Sequence, residues 1–230
     1  MSVLAAHQPQ FAPWLGFFDK LDRADVFVLL DNVQYKKNEW QNRNRIKGAA
    51  GPQWLTVPVS GRFGQEIREL DIAARENWQA RHLKTLHTCY RRAPHFTDTL
   101  ALYERIAHRP WEKLADLNVQ LLRDLVAQLN LETEIVLASE REPLPDHRDE
   151  RLIELCRRYG AGIYLAGAGG RAYMELERYQ AAGLNVVFQD YQHPTYPQLF
   201  GEFTPNLSVL DLLFNCGPAS IEIIRGGRAA

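Results

Sequence analysis

Five consecutive apolar residues, Val26-Phe27-Val28-Leu29-Leu30, lie between Asp25 and Asp31. A run that short and that uniformly apolar suits a strand covered on both faces, as in a parallel sheet. Upstream, Leu4-Ala5-Ala6 reads as a second short buried strand. Between them, residues 14–24 place Leu15, Phe18 and Leu21 near one helical face, with Asp19, Lys20, Asp22 and Arg23 mostly on the other. Strand, helix and strand in that order predict a right-handed crossover.

The same alternation returns later in the chain. "TEIVLAS" reads as a strand, "RDERLIELCRRYG" as a helix ending at Gly160, and "GIYLAG" as a strand. "AYMELERYQAAG" then predicts a helix ending at Gly183, and "LNVVFQDY" a further strand. The expected fold is α/β: a mostly parallel Rossmann-like sheet with helices on both faces, in one domain over residues 1–230. Two interruptions are expected. Residues 32–76 form a basic, β-rich insertion whose "QWLTVPVSGRFGQEIRELDI" flanks a Gly-containing turn. Residues 77–130 form a helical segment, in which Leu114, Leu117, Leu121, Leu125 and Leu129 recur at helical spacing as a core stripe.

Composition bounds the function. With 230 residues and 46% apolar side chains the chain can bury one substantial core. Its 27 basic and 28 acidic residues leave a net charge of -1, which argues against a protein that coats nucleic acid. DNA is not an expected partner, and RNA is a weaker candidate than a small molecule. Any anionic ligand must be met by a local patch. No apolar run precedes His7 at the length of a signal peptide, and none approaches the roughly 18 residues of a membrane span. Cys89, Cys156 and Cys216 are odd in number, widely spaced and without a CxxC, which points to reduced thiols and a cytoplasmic chain. Oligomeric state leaves no mark in the sequence.

In parallel sheets ligands gather beyond the carboxyl ends of the strands, so the turns leaving strands carry the chemistry. The first is "HQPQFAPWLGFF". Pro9 and Pro13 stiffen it, Gly16 permits close approach, and the amides of the following helix suit an anion. His7 and Gln8 stand where the strand ends, and Trp14 offers either a packing anchor or a ligand face. The second turn begins at Asp31, whose carboxylate can serve as a base or bind an amine, a hydroxyl or a metal. It continues into a stretch with Lys36, Lys37, Arg43, Arg45 and Lys47 against Glu39 alone, mixed with Asn38, Trp40, Asn42 and Asn44. Guanidinium, planar amide and indole together suit phosphate or nucleotide recognition; a solvated loop or oligomer contact is the alternative.

A third turn holds Gly167, Gly169, Gly170 and Arg171, without the full G-x-G-x-x-G of dinucleotide sites. His193, Tyr196 and Gln198 follow the last strand and bring polar ends toward the same side. Ser208 to Asp211 fits a capping box. No HxxH, HExxH or G-x-S-x-G is present, so no metal ligand set and no serine nucleophile is assigned. An enzyme built from these parts works by positioning and charge stabilisation.

"HQPQFAPWLGFFDKLDRADVFVLLDNVQYKKNEWQNRNRIK", "WLTVPV", "YLAGAGG" and "FTPNLSVLDLLFNCG", in that order over nearly the whole chain, resemble the WbqC-like protein family. Matching positions include His7, Gln8, Pro9, Pro13, Trp14, Gly16, Asp31, Gln34, Asn42, Arg43, Asn44, Gly167, Gly170, Ser208, Asp211 and Asn215. Such proteins accompany surface-polysaccharide gene clusters, O-antigen among them, and specialised-metabolite pathways. The resemblance therefore implies biosynthesis, without a settled reaction. A looser likeness joins the first strand, Gly16 and "ADVFV" to nucleotidyl-transferring proteins of the HIGH-motif superfamily, although "PWLGF" stands where their paired histidines would be.

Taken together, the expected activity is a transferase or ligase that adds an acyl or aminoacyl group to an amine-bearing sugar nucleotide or amino-acid-derived precursor. His7 or Asp31 is the candidate general base. Arg43, Lys47 and the Gly167–Gly170 turn, Gly169 included, are candidates to hold phosphate or carboxylate. His193, Tyr196 and Gln198 are candidates to orient the acceptor, with Gln8, Trp14, Gln34, Asn42 and Asn44 as further substrate contacts. The cofactor is left open between a nucleotide and an activated acyl donor. The alternatives are nucleotidyl transfer or adenylation in a HIGH-like fold, and a non-catalytic scaffold subunit.

Overall fold

Hydrogen bonding in the computed structural model, which describes residues 1–62, 64–73 and 77–228, joins the apolar runs into one parallel sheet. Its strands are β1 (Val3–His7), β2 (Val26–Leu29), β7 (Glu134–Leu137), β8 (Ile163–Ala166) and β9 (Asn185–Phe188), in the order β7-β2-β1-β8-β9. Every neighbouring pair is parallel; Ala5, for example, pairs with Phe27 on one side and Leu165 on the other.

Four short antiparallel strands form two side pairs: β3 (Arg43–Gly48) with β4 (Gly51–Thr56), and β5 (Val59–Ser60) with β6 (Asp71–Ile72). The expected insertion falls here. Its Phe63 and residues 74–76 lie outside the described residues. The helices are α1 (Leu15–Asp22), α2 (Trp78–Tyr90), α3 (Phe96–Ala107), α4 (Leu114–Gln128), α5 (Arg148–Arg158), α6 (Leu176–Ala181), α7 (Val209–Cys216) and α8 (Ser220–Arg225).

Strand alternation divides the core between two faces. Ala5, Phe27, Leu29 and Leu165 enter a large cluster with α1, α2, α3, α4, α7 and α8. Leu4, Ala6, Val26, Val28, Tyr164 and Ala166 enter a smaller one with Ile153, Leu155 and Cys156 of α5 and Tyr179 of α6. Both faces are therefore dry over the inner strands β1, β2 and β8, which is why these strands carry no polar alternation. The α4 stripe of Leu114, Leu117, Leu121, Leu125 and Leu129 is buried throughout. Each such leucine contributes about 1.5–3 kcal/mol on leaving water. Gly160 and Gly183, at φ 63° and 76°, end α5 and α6 in the left-handed conformation that glycine adopts without a Cβ clash.

On the polar side of α1, Asp19 and Lys20 are buried while Asp22 and Arg23 stay partly exposed. Arg228 and Gln189, from the chain's end and the β9 exit, close over Asp19, and Lys20 turns to the Ala6 carbonyl. One expectation needs correction: there is no capping box at Ser208. Its hydroxyl accepts the Leu210 amide at 3.2 Å, but the Asp211 carboxylate turns inward to buried tyrosine and glutamine donors.

Candidate active site

The strand order reverses between β1 and β8, because the chain grows outward through β2 and β7 before returning to β8 and β9. The two outgoing loops diverge there and leave a crevice at the strands' carboxyl ends. A cleft of about 780 Å³ opens at this point, between the ends of β1 and β8, the Gly167–Gly170 turn and the start of α5. Lys20, Lys36, Arg148 and Arg151 line it against two carboxylates, Asp146 and Asp149. A chain of net charge -1 thus carries a local cationic excess at its switch point.

His7 ends β1 and lines the cleft. Its Nδ1 lies 3.0 Å from the Gln8 carbonyl, so Nδ1–H is the donor and Nε2 keeps a lone pair. Phe17 sets the ring edge-to-face at 5.0 Å. Desolvation, and then the nearby Lys20 charge, lower the His7 pKa to about 4; the imidazole is neutral at physiological pH. Beside it, Lys20 Nζ donates to the Ala6 carbonyl at 2.8 Å, and burial lowers its pKa to about 8. The Gln8 amide oxygen accepts from Gln41 at 2.7 Å, which ties the proline-stiffened loop to the stretch before β3.

The glycine turn has a division of labour. A Cβ at Gly167 or Gly169 would meet nothing within 4 Å, so these two backbones face open space. At Gly170 it would lie 2.8 Å from Met174 Sδ and 3.3 Å from Phe188, so that glycine serves packing. Across the cleft, the buried Asp149 carboxylate accepts the Tyr179 hydroxyl at 3.0 Å, and the Arg148 guanidinium lies over Tyr173 at 4.5 Å.

Among the described residues, ligand atoms of His147, Asp149 and Glu175 lie within 4.8 Å of one another. Glu175 is held by Arg178 and Asp149 approaches Arg148, while both acids sit at helix starts. Positive helix ends and guanidiniums account for these carboxylates and disfavour a cation.

The cleft brings together His7, Gln8, Gly167, Gly169 and Gly170 among the residues singled out in the sequence. The others lie elsewhere. Both oxygens of Asp31 are engaged by Ser139, from the amide at 3.0 Å and the hydroxyl at 2.6 Å, which joins the exits of β2 and β7. Gln34 is exposed and its backbone bridges to Glu66. Asn42 bonds Val57 O and Tyr35, and Arg43 stacks on Trp54 at 4.3 Å; both line a separate cavity of about 390 Å³. Asn44 fastens β3 to the Ala12 carbonyl at 2.7 Å and shares a third cavity with Trp14.

Lys47, Tyr196 and Gln198 gather around Asp211 in the interior: Tyr90 donates to the carboxylate at 2.6 Å, Tyr196 at 3.0 Å and Gln198 at 2.9 Å, while Lys47 bonds Gln198 at 3.1 Å. His193 stacks on Trp14 with ring centres 6.3 Å apart.

Lys20, Arg148, Arg151 and Asp149 carried no site assignment in the sequence, whereas Lys36 stood in the basic run expected to suit phosphate or nucleotide recognition. The arginines open a helix that follows a strand, a recognisable signal. Lys20 had none, since it stood on the helical face away from Leu15, Phe18 and Leu21.

A family model for the WbqC-like protein family matches residues 8–223. The chain belongs to the WbqC-like family. It is also 37% identical over 232 residues to the uncharacterized protein Rv1507c of Mycobacterium tuberculosis (strain ATCC 25618 / H37Rv), with 98% of each chain covered. No solved structure matches at a significant level. Among the described residues no helix is long and apolar enough to cross a membrane.

Proposed function

We propose that this WbqC-like protein is a biosynthetic transferase or ligase. It joins an acyl or aminoacyl group to the amine of an anionic substrate, of sugar-nucleotide or amino-acid-derived class, bound in the switch-point cleft. The supporting observation is a neutral histidine with a free Nε2 lone pair inside a cleft of cationic excess. Arg148, Arg151 and Lys36 hold the anion, and the open backbones of Gly167 and Gly169 let it approach closely. The substrate amine attacks the acyl carbon, the donor's leaving group departs, and the amine proton passes to His7 Nε2. Desolvation is the larger cause of the depressed His7 pKa; an anion seated beside Lys20 offsets the second, the lysine charge, and so raises His7 basicity in part.

The test is a thermal-shift screen with sugar nucleotides, nucleotides and amino acids, followed by product analysis on the hits. A ligand at 100 times its Kd contributes about 2.7 kcal/mol, a readily visible shift. Arg151→Ala is expected to remove the shift, and His7→Ala to keep it while turnover falls about 100-fold or more. No shift with any anion sinks this reading. Pyrophosphate release in place of acyl transfer would support nucleotidyl transfer in the same cleft.

A further inference from the structure

Lys20 differs from the other cations of the cleft. It is 4% exposed, and its Nζ reaches the Ala6 carbonyl at the end of β1. Asp19, the adjacent carboxylate in the chain, is committed to Arg228 and Gln189 at 2.7 Å each. Among the described residues no acidic group pairs with Lys20. Lys47, also buried, is held by Gln198 and the Glu202 carbonyl away from the cleft, whereas Lys20 has one carbonyl partner and lines the cleft. Lys20 carries its ammonium inward, to a strand end beside a neutral histidine. Removing an ammonium from water without a counter-ion favours the free amine, the nucleophilic form. Burial, the cause acting on Lys20, is one of the usual means of activating a lysine for carbonyl chemistry.

We propose that Lys20 is a reactive amine that condenses with the aldehyde or ketone group of an anionic ligand held in the cleft, forming an imine. The Nζ lone pair attacks the carbonyl carbon and the C–O π bond breaks. Loss of water from the resulting carbinolamine leaves the C=N bond. Both amine protons end on the departing water, relayed through His7 Nε2, and nothing is oxidised or reduced. The ligand class is a carbonyl compound that also bears a phosphate or carboxylate, because the cationic lining selects the anion and Lys20 the carbonyl. This inference rests on the cleft being the anion site of the proposed function.

Pyridoxal 5′-phosphate is a suitable probe, trapped on the full chain with sodium cyanoborohydride and located by peptide mass spectrometry. Lys20 is expected to label at least tenfold faster than the exposed Lys37 and Lys84, and inorganic phosphate to slow it. Lys20→Arg retains a donor toward Ala6 and is expected to lose that adduct while keeping the thermal shift with phosphate. Even labelling across surface lysines in the wild-type chain overturns the proposal, whether or not the variant folds. A phosphate shift without a Lys20 adduct overturns the imine and leaves the anion cleft standing. Loss of both overturns the imine and the anion cleft together.

Discussion

Lys20 of α1 donates a 2.8 Å hydrogen bond to the carbonyl of Ala6, the residue immediately before His7. Helix and strand end are thereby joined at the mouth of the cleft, and the two depressed pKa values share one cause, desolvation, with Lys20 also acting on His7. An anion entering the cleft favours the protonated lysine. Binding of a phosphate compound without a carbonyl is therefore expected to take up protons near pH 8, where free Lys20 is about half protonated, and almost none from Lys20 at pH 6. Calorimetry in two buffers of different ionisation enthalpy measures this directly. Equal heats in both buffers at pH 8 would remove Lys20 from the anion site.

The glycine turn separates function from packing at neighbouring positions. Gly167→Ala and Gly169→Ala meet no atom within 4 Å. They are expected to leave Tm unchanged or slightly raised, since alanine loses less chain entropy on folding, while ligand affinity falls. Gly170→Ala presses on Met174 and Phe188 and is expected to lower Tm. A parallel Tm and affinity series on the three variants checks the split.

Asp211 accepts from Tyr90, Tyr196 and Gln198 in the interior. Asp211→Ala strands all three donors and is expected to cost about 3–5 kcal/mol. A chain of this size then loses roughly 6–20 °C of Tm. A loss below about 2 °C would show that the network contributes little.

His82 is buried, with Nδ1 2.7 Å from the Tyr103 hydroxyl and Nε2 3.0 Å from the Thr56 carbonyl, and desolvation lowers its pKa to about 4. Between pH 6.5 and 4 the unfolded chain binds a proton there that the folded chain does not. Stability therefore falls on acidification through that window, by roughly 3 kcal/mol at its end, and is flat above it. Denaturant midpoints from pH 7.5 to 4.5 test this, with His82→Gln expected to remove its share of the slope and leave an equal share from His7, whose pKa is lowered to the same value.

Gly16 carries no side chain because the Trp14 ring occupies the space: a Cβ there would lie 2.3 Å from the indole. Gly16→Ala is expected to cost about 1–3 kcal/mol by displacing Trp14 from His193 and Tyr191. In the Trp14→Ala background the same change is expected to be nearly neutral, and a double-mutant cycle measures the coupling.

Much of the sheet was legible in the chain. Doubly covered strands must be apolar on both faces, so Val26–Leu29 and Ile163–Ala166 declare themselves without help. The α4 leucines recur at the helical period because one face meets the core. Local charge was a poorer guide. The basic stretch from Lys36 to Lys47 is the densest in the chain, yet it divides among three places. Lys36 lies in the switch-point cleft, Arg43 stacks on Trp54, and Lys47 bonds Gln198 inside the core. Lys36 precedes β3, and Arg43 and Lys47 stand at opposite ends of that strand, about 13 Å apart at the rise of an extended chain, so each meets different neighbours.

The chain by itself determined its strands, most of its helices and the stiff, histidine-bearing turn after β1, because these rest on periodicity and on the limits of proline and glycine. Tertiary structure alone decided that β8 lies beside β1 and not beside β7. That adjacency reverses the strand order and sets the Gly167–Gly170 turn opposite His7. It also gave Asp31 to Ser139 and buried Lys20 against the Ala6 carbonyl at the end of β1. The reason is physical: pairing and burial depend on which surfaces meet, and surfaces meet through contacts more than a hundred residues apart in the chain.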